Sequence, residues 1–447
     1  MNMKNEKRTV ITGIAPLCSI GIGKEALWDA VVKERTHVVE DRFLMGDELS
    51  EAFYFHRMDG FDISSFGFNV RTLEWITQWK QGYTDMDLMY LAAAVKLAIT
   101  DSRLKYDPEH NDVGLVLTHE NPGLENLFER VASLTYDYLQ NGGGAGSHSS
   151  AKKMVQKIEK KDALEYVYSQ CEILGYDTQT FMYLFFVAKL FSIHGFSLFL
   201  NNACASGLYA LEVARQQILL GRCPAVIVAG ADRPRMAYKH LWFKNNNLYA
   251  RDGLIKPFCR DRDGFVFGDA ATGLVLEDYE HAKARGASIY GEYLGGGFNL
   301  ECGKVTLPDV TTDYYKRCIE TAIINSGVNK DKIDLIVPHG IGTSITDLHE
   351  ARTILTSFAS VSEPPLVTAF KPYFGHNLGG CALLETVLLL LAMNHDYVPR
   401  TLNCEPLDPK IKLNLAVKSV SKPLQTAMKM ACGFAGYNGV GIFRKVK

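Results

Sequence analysis

The sequence predicts an α/β protein built from two halves that repeat the same order of elements, residues 1–285 and 286–447. In each half, a helical segment leads through a short polar stretch to an apolar strand. A second strand in each half runs through small residues into another helix. Helices that alternate with apolar strands indicate buried sheets covered by helices on both faces. The alternative is an ordinary α/β fold without duplication, because any two such segments look alike.

The regular elements of the first half begin with a helical pattern over residues 87–104, where Leu91, Val95 and Ala98 share one face. Further along, the continuous apolar run at 225–230 is typical of a buried parallel strand. The remaining predicted elements of this half are strands at 113–117, 197–200 and 273–276 and a helix at 208–220.

The second half repeats this order after a junction near residues 286–304. Its helical pattern over 314–328 places Cys318 and Ala322 on one face. The run at 412–417 is a weaker counterpart of the buried strand of the first half. The remaining predicted elements of this half are strands at 333–337, 365–370 and 439–443 and a helix at 382–393.

The segment 124–174 fits neither half and is predicted to be an insertion in the first. It is polar and mostly helical in pattern, and its residues 141–150 are rich in Gly and Ser, which indicates a flexible loop. No Gly-Lys-Ser/Thr follows that loop, so it lacks the signature of a phosphate-binding loop. We expect the insertion to cover a pocket or to contact a partner.

Composition and charge exclude several classes of protein. The chain has 48 Lys and Arg against 50 Asp and Glu, so it lacks the basic excess that is typical of nucleic-acid binders. The longest apolar run, 381–393, is too short to span a bilayer and is interrupted by Glu385, so no membrane is expected. Residues 1–8 lack the apolar stretch of a secretion signal. The ten cysteines form no C-x-x-C pair and no zinc spacing, which favours reduced thiols, a cytoplasmic location and no metal.

A candidate nucleophile lies where a predicted strand passes into a predicted helix. Residues 201–207 read Asn-Asn-Ala-Cys-Ala-Ser-Gly, which places Cys204 at the start of the helix. The helix dipole and unpaired N–H groups there favour a thiolate, the nucleophilic form of cysteine. The small neighbours leave room for a substrate carbonyl. The alternative is that Cys204 is a small buried core residue.

Two histidines follow predicted strands in the second half. His339 comes directly after the strand at 333–337, where ligands bind in open α/β sheets. His376 follows the strand at 365–370 and holds the place that Cys204 holds in the first half. A pseudo-twofold between the halves would bring the two loops face to face. Taken alone, His339 is more readily explained as a core or surface histidine.

These residues carry a resemblance to a known family. The matching motifs are Ala-Cys-Ala-Ser-Gly at 203–207, His-Gly with Gly342, Thr343 and Asp347 at 339–347, Lys371 with Gly-His at 375–376, and the glycine-rich loop at 433–438. In order and separation they resemble the β-ketoacyl synthases, the condensing enzymes of fatty-acid and polyketide synthesis in the thiolase-like superfamily. The resemblance covers most of the chain and leaves out the insertion at 124–174.

The resemblance implies a thiolase-like fold of five alternating layers, αβαβα, and the Cys-His-His site of elongating synthases. It implies an acyltransferase that condenses an acyl thioester with a malonyl thioester as carbon dioxide is lost. Both substrates would be carried on the phosphopantetheine arm of an acyl carrier protein, and no tightly bound cofactor is expected. The partner would be a second copy or a chain-length-factor-like subunit. Such subunits lack the cysteine, so Cys204 argues against that role for this chain.

The resemblance also assigns roles to individual residues. Cys204 would carry the acyl group, and the backbone N–H groups of Cys204 and Phe434 would form the oxyanion hole. His339 and His376 would stabilise the enolate that decarboxylation leaves. Lys371 would organise His339 and the carboxylates around it, and Phe434 would gate the acyl pocket.

Supporting residues show both agreement with the family pattern and departures from it. Asp269 and Asp347 are the expected carboxylate partners of the lysine, although Asp269 stands where the family usually has Glu. Thr343 is retained as a contact for the pantetheine arm, whereas Ile341 replaces a threonine. Tyr437 replaces a small residue and is expected to reshape the pocket. These departures favour a specialised synthase of a polyketide or other secondary-metabolite pathway.

Two other functions remain open on the sequence alone. One is acyl transfer without decarboxylation, in which Cys204 alone passes an acyl group to another nucleophile. The presence of both histidines counts against it. The other is a non-enzymatic partner subunit that shapes the pocket of a second synthase.

Overall fold

The computed structural model describes residues 7–44, 50–78, 85–120, 131, 179–234 and 237–446. The strands are β1 Thr9–Cys18, β2 Gly21–Ile22, β3 Val38–Leu44, β4 Ser50–His56, β5 Gly114–Thr118, β6 Ser197–Leu200, β7 Ala225–Asp232, β8 Phe267–Gly268, β9 Ala270–Asp278, β10 Gly291–Leu300, β11 Leu335–Val337, β12 Leu366–Val367, β13 Tyr397–Val398, β14 Val420–Ser421, β15 Thr426–Cys432 and β16 Tyr437–Arg444. The helices are α1 Lys24–Val32, α2 Val70–Gln78, α3 Met86–Ser102, α4 Thr180–Phe191, α5 Ser206–Leu219, α6 Ala237–Asn245, α7 Tyr279–Ala284, α8 Tyr314–Ser326, α9 Ser344–Ser357, α10 Lys371–Phe374 and α11 Cys381–His395. Single turns of 3₁₀ helix lie at Ile63–Phe66, Lys330–Lys332, Leu378–Gly380 and Phe434–Gly436.

The strand order confirms that the fold is duplicated. The central sheet runs β12-β11-β15-β16-β10-β1-β9-β7-β5-β6, and it divides between β10 and β1 into two groups of five. From the outer edge inward, one group reads β6-β5-β7-β9-β1 and the other β12-β11-β15-β16-β10. In both groups the three outer strands are parallel and the two inner strands antiparallel. Strand by strand, the second half therefore repeats the first.

Helices cover both faces of each group of strands. Helix α3 packs on β1, β9 and β7, and helix α8 packs on β10 and β16. Helices α5 and α11 contact each other and also contact strands of both halves. Their buried side chains belong to one apolar core that includes strands of both groups, while two further cores lie under α3 and under α8. This gives the five layers that the resemblance implied, with α5 and α11 in the middle.

One prediction about the second half is wrong. The counterpart of β7 is β15, Thr426–Cys432, and not the run at 412–417, of which only Leu415 forms an isolated bridge to Val367. The region 286–304, where the halves were expected to join, contains β10, Gly291–Leu300, the first strand of the second group.

The apolar helix of the second half is longer than its sequence pattern indicated. Leu378–His395 is long and apolar enough to cross a membrane by length and composition, with a mean hydropathy of 1.5. However, 89% of it is buried inside the protein, because it is a core helix that contacts both groups of strands. Among the described residues it is the one helix that passes this test.

The predicted insertion at 124–174 lies outside the described residues, apart from Val131. The same is true of the glycine- and serine-rich segment 141–150.

Candidate active site

The candidate nucleophile lies on a tight turn between β6 and α5. Ala203 has a φ of +50°, a left-handed conformation that is unfavourable for a residue with a side chain. The Ser206 hydroxyl compensates, because it accepts from the backbone N–H of Asn202 at 2.7 Å and donates to the carbonyl of Ala203 at 2.6 Å. The turn leaves Cys204 buried, with 9% of its surface exposed, just before the helix begins.

His376 is held by backbone contacts with the segment that contains β8. Its N–H donates to the Val266 carbonyl at 2.9 Å, and its carbonyl accepts from the Gly268 N–H at 3.2 Å. The preceding Gly375 has a φ of +81°, and a Cβ there would lie 2.7 Å from the Phe267 carbonyl oxygen. Glycine is therefore required at 375 for the histidine loop to approach the strand this closely.

The structure brings the three predicted side chains together. The Cys204 Sγ lies 3.1 Å from the His376 Nε2. The rings of His339 and His376 are 5.5 Å apart and nearly perpendicular. One nitrogen or sulfur atom from each of the three side chains lies within 4.8 Å of the others. Cys204 follows β6 and His376 follows β12, which are equivalent strands, so the pseudo-twofold brings the two loops face to face as the sequence predicts.

The backbone of the His339 loop is anchored by a carboxylate that the sequence analysis did not single out. Glu350, on α9, accepts from the N–H of His339 at 2.6 Å and from that of Gly340 at 2.8 Å. Tyr315 donates its hydroxyl to the same carboxylate at 2.9 Å. All four residues are buried. Glu350 therefore fixes the position of the backbone that carries the His339 ring.

Lys371 lies beside His339, but its carboxylate partner is not one of the two that were expected. Its Nζ donates to the His339 carbonyl at 2.5 Å and to the Glu385 Oε1 at 3.0 Å, and it lies 3.4 Å from the His339 Nδ1. A second lysine, Lys429, contacts the Glu385 Oε2 at 2.7 Å. All three charged side chains are at most 1% exposed. The site is therefore backed by a buried Lys–Glu–Lys cluster.

The two expected partners have different positions. Asp347 accepts from the N–H groups of Gly342 at 3.0 Å and of Phe258 at 2.8 Å, so it braces the loop that follows His339. Asp269 accepts from the Met58 N–H at 3.2 Å. The prediction that these aspartates are the carboxylate partners of the lysine is wrong, because Glu385 fills that place from inside an apolar helix.

Lys371 determines which nitrogen of His339 carries the proton. An ammonium group has only donors, so a His339 Nδ1 at 3.4 Å can act towards it only as an acceptor. The proton of the neutral ring is then on Nε2. His339 consequently offers a hydrogen-bond donor on the side of the ring away from the lysine.

Burial controls the charge state of the three reactive groups. Burial lowers the pKa of His339 and of His376 well below the usual range, and the Lys371 ammonium lowers both further. Both imidazoles are therefore neutral. Burial also raises the pKa of the Cys204 thiol, and the Glu120 carboxylate raises it further. The expected resting thiolate is thus wrong: a neutral thiol faces a neutral imidazole.

A cavity of about 610 Å³ opens onto these groups. Its apolar walls include Phe243, Leu248, Phe265, Leu307, Ile341, Leu378 and Phe434. The ring of Phe434 stacks on that of Phe243 at 5.4 Å. Thr343 also lines the cavity, and none of the described residues hydrogen-bonds to its buried Oγ1.

The loop of Phe434 meets the nucleophile turn. A Cβ on Gly433 would lie 3.1 Å from the backbone nitrogen of Cys204, so the two backbones are in close contact. Tyr437, in contrast, is not among the residues that line the cavity. Its ring packs edge-on against Tyr209 at 6.1 Å.

The three clustered atoms are also of the types that bind zinc, namely one sulfur and two imidazole nitrogens. Two buried ammonium groups, Lys371 and Lys429, lie behind them. Both appear among the charges that lower the pKa of His376, so they would oppose a cation at this place as well.

Two family descriptions match the chain. "Beta-ketoacyl synthase, N-terminal domain" matches residues 143–282, and "Beta-ketoacyl synthase, C-terminal domain" matches residues 290–405. Together the two matches span more than half of the chain. The chain belongs to the β-ketoacyl synthase family. Because the first match begins at residue 143, the family also covers the larger part of 124–174, which corrects the prediction that this segment is left out.

Individual β-ketoacyl synthases agree with this assignment. A 3-oxoacyl-[acyl-carrier-protein] synthase 2 of Mycobacterium tuberculosis is 34% identical over 245 residues, which are 53% of this chain and 58% of that enzyme. The match therefore spans little more than half of that relative. An enzyme of the same name from Vibrio cholerae is 25% identical over 99% of this chain and 100% of its own. The solved structure of the ishigamide ketosynthase/chain length factor superimposes with a TM-score of 0.81, at 23% identity, over 99% of this chain and 100% of that chain.

Proposed function

We propose that this protein is a condensing acyltransferase that joins an acyl group to a malonyl unit as carbon dioxide is lost. The observation that carries the proposal is the 3.1 Å contact between the Cys204 thiol and the His376 ring, with a second neutral imidazole alongside. A thiol beside a neutral imidazole can be activated as a nucleophile. Two neutral imidazoles can donate hydrogen bonds to an enolate oxygen without transferring their protons to it.

The first half-reaction is acyl transfer to Cys204. As the Sγ attacks the thioester carbonyl, its proton passes to the His376 Nε2, which lies in reach at 3.1 Å. The backbone N–H groups of Cys204 and Phe434 receive the oxyanion that forms. Collapse of the tetrahedral intermediate breaks the carbon–sulfur bond to the carrier arm. The departing thiolate takes the proton, so the products are acyl-Cys204 and a free carrier thiol.

The second half-reaction forms the carbon–carbon bond. The malonyl carboxylate leaves as carbon dioxide, and the electron pair of the broken bond forms an enolate on the thioester. The Nε2–H of His339 donates to the enolate oxygen. His376 would donate to the same oxygen in its Nε2–H tautomer, which the neutral ring can adopt once Cys204 is acylated and no longer offers a proton to Nε2. The enolate carbon then attacks the acyl-Cys204 carbonyl, the bond to Sγ breaks, and the β-ketoacyl product remains on the carrier. The Cys204 thiolate regains a proton from solvent, either directly or relayed through the His376 ring.

The supporting residues would act on these steps from the cavity wall and from behind the rings. Lys371 holds His339 in the tautomer that donates through Nε2. Phe434, stacked on Phe243, would gate the acyl group, and Ile341 and Thr343 would contact the pantetheine arm. The unpaired hydroxyl of Thr343 supports that assignment, since a buried donor normally finds a partner.

The partner, assembly and location of the protein follow from the same proposal. An acyl carrier protein would deliver both substrates, and the matched relatives are named as synthases of a 3-oxoacyl-[acyl-carrier-protein]. A homodimer, or a heterodimer with a chain-length-factor-like subunit, is supported by β6, a half-exposed strand at the sheet edge. A cytoplasmic location is supported by the nine cysteines of the described residues, all of which are unpaired.

The test is condensation by the purified chain supplied with an acyl-carrier thioester and a carboxyl-labelled malonyl carrier. We expect labelled carbon dioxide and a β-ketoacyl product, both abolished by Cys204→Ala. Cys302→Ala is the matched control, because Cys302 is an exposed cysteine. Acylation of Cys204 without release of carbon dioxide would point instead to transfer to another nucleophile. Failure of Cys204 to become acylated would point to a partner subunit.

A further inference from the structure

Glu120 places a carboxylate in the cavity that contains the reactive thiol. It lies two residues beyond the end of β5, at the carboxyl edge of the parallel strands, where ligands bind in such sheets. Its side chain lines the same cavity as Cys204, His339 and His376. It also raises the pKa of the Cys204 thiol, second only to burial, so the carboxylate and the sulfur interact.

Glu120 is held in place at three points. Its N–H donates to the Asp232 Oδ1 at 3.1 Å, and its carbonyl accepts from the Asn201 Nδ2 at 2.7 Å. Its carboxylate contacts the Lys239 Nζ at 3.2 Å, through the Oε2 atom. The side chain of Glu120 remains 23% exposed, whereas that of Lys239 is 12% exposed. The carboxylate is thus positioned rather than mobile, and part of its surface faces the cavity.

A charged network lies behind this carboxylate. His119 is buried between Asp87 and Asp232, each 3.2 Å from one of its ring nitrogens. Burial alone would lower the pKa of His119, but the carboxylates of Asp232 and Asp87 raise it to about 9. The network therefore places two further carboxylates, Asp87 and Asp232, and two cations, His119 and Lys239, around the base of Glu120.

The cavity wall has a second carboxylate, Glu301, but that group already accepts from the Asp309 N–H at 2.8 Å and from the Asn438 Nδ2 at 2.9 Å. Much of the remaining wall is apolar, so the Glu120 carboxylate changes what the cavity accepts. An alkyl chain packed against Glu120 would remove water from the carboxylate without replacing its hydrogen bonds, which is unfavourable. A hydroxyl or amine on the acyl chain would restore the lost hydrogen bond. We propose that Glu120 is a specificity-determining residue that selects acyl groups with a hydrogen-bond donor on the chain over plain alkyl chains. This inference rests on the proposed function, because it assumes that Cys204 carries the acyl group.

The experiment measures acylation of Cys204 in the full chain by intact mass, with pantetheine thioesters that need no carrier protein. Six- and eight-carbon acyl groups are compared in matched sets with a terminal methyl, hydroxyl or amine. The wild-type protein should acylate at least about tenfold faster with the hydroxyl or the amine than with the methyl. The Glu120→Leu variant should reverse or abolish that preference. Glu25→Gln, which changes an exposed glutamate on α1, should retain it.

The Glu120→Gln variant separates charge from hydrogen bonding. The glutamine keeps an acceptor oxygen and the side-chain shape. Acylation of Cys204 by the amine-bearing thioesters should therefore become slower, whereas acylation by the hydroxyl-bearing thioesters should largely keep its rate. If Glu120→Leu fails to fold, Glu120→Gln still tests the proposal. Equal or faster acylation of the wild-type protein by plain alkyl thioesters, with ratios that neither variant changes, would overturn this inference and leave the proposed function intact. Absence of acylation with every thioester would overturn both.

Discussion

Replacement of Glu385 by glutamine should destabilise the protein more than any other conservative change near the site. Glu385 is the carboxylate that contacts both Lys371 and Lys429, and all three side chains are at most 1% exposed. The substitution leaves two ammonium groups buried side by side without the carboxylate that contacts them both. Removal of one partner from a buried ion pair costs about 3–5 kcal/mol. That is a large share of the roughly 5–15 kcal/mol by which proteins are stable.

The loss should depend on pH, because one lysine can release its proton. Burial lowers the pKa of Lys429, and the Lys371 charge lowers it further, against the opposing effect of Glu385. Without Glu385 the pKa of Lys429 should fall further below its unfolded value. The unfolded chain then binds more protons than the folded chain, so stability rises with pH. The defect of Glu385→Gln should therefore be smaller at pH 9.5 than at pH 7.

The assay is chemical denaturation of the full chain, monitored by circular dichroism, at both pH values. Lys429→Met is the matched control, because it leaves one lysine paired with one carboxylate and should cost much less. A double substitution of Glu385→Gln with Lys429→Met should recover part of the loss, because it buries one cation instead of two. If the free energy of unfolding of Glu385→Gln lies within about 1 kcal/mol of the wild-type value at pH 7, the reasoning is refuted, because burial of an uncompensated charge should destabilise the protein by more than that.

Three further outcomes follow from the geometry of the site. Gly375→Ala should lower the condensation rate at least about tenfold, measured by product formation, because a Cβ there cannot fit beside the strand and His376 would be displaced. The condensation rate should not fall between pH 8 and pH 6 through titration of His376 or His339, because the pKa values of both rings lie well below the usual range. A loss of rate centred near pH 6.5 would contradict this prediction. Ser206→Ala should lower the free energy of unfolding, measured by thermal unfolding, by about 1–2 kcal/mol, because it removes two hydrogen bonds that close the nucleophile turn. It should also slow the acylation of Cys204.

The sequence predicted those parts of the fold in which apolar pattern and burial agree. The strand at 197–200 was predicted with its observed bounds, and the helix at 314–328 extends only two residues past the observed end. Strand β15 was missed because Lys429 lies in its middle and breaks the apolar run, although every residue of that strand is buried. A lysine is tolerated there only because Glu385 meets it across the core, and a contact between residues so far apart in the chain leaves no local pattern.

The clustering of Cys204 with the two histidines was predicted, but the environment of these side chains was not. Motif and strand order were sufficient to place Cys204 with His376, because equivalent loops of a duplicated fold meet at its pseudo-twofold axis. The charge state of the thiol was predicted wrongly, since the helix start suggests a thiolate and only the structure gives the extent of burial. The carboxylate beside Lys371 was also misassigned. Glu385 was noticed only as an interruption of an apolar run, and its partners lie on other elements.

The single acidic residue of helix α11, Glu385, restricts the rotation of that helix about its own axis. Its other buried side chains are mostly leucine, alanine and valine, which would pack acceptably in several rotational settings. Turning the helix by one residue, about 100°, would carry Glu385 away from both ammonium groups and leave it facing hydrocarbon. The ionic cluster therefore stabilises one orientation of an otherwise apolar helix, and in that orientation Glu385 contacts the lysine that lies beside His339.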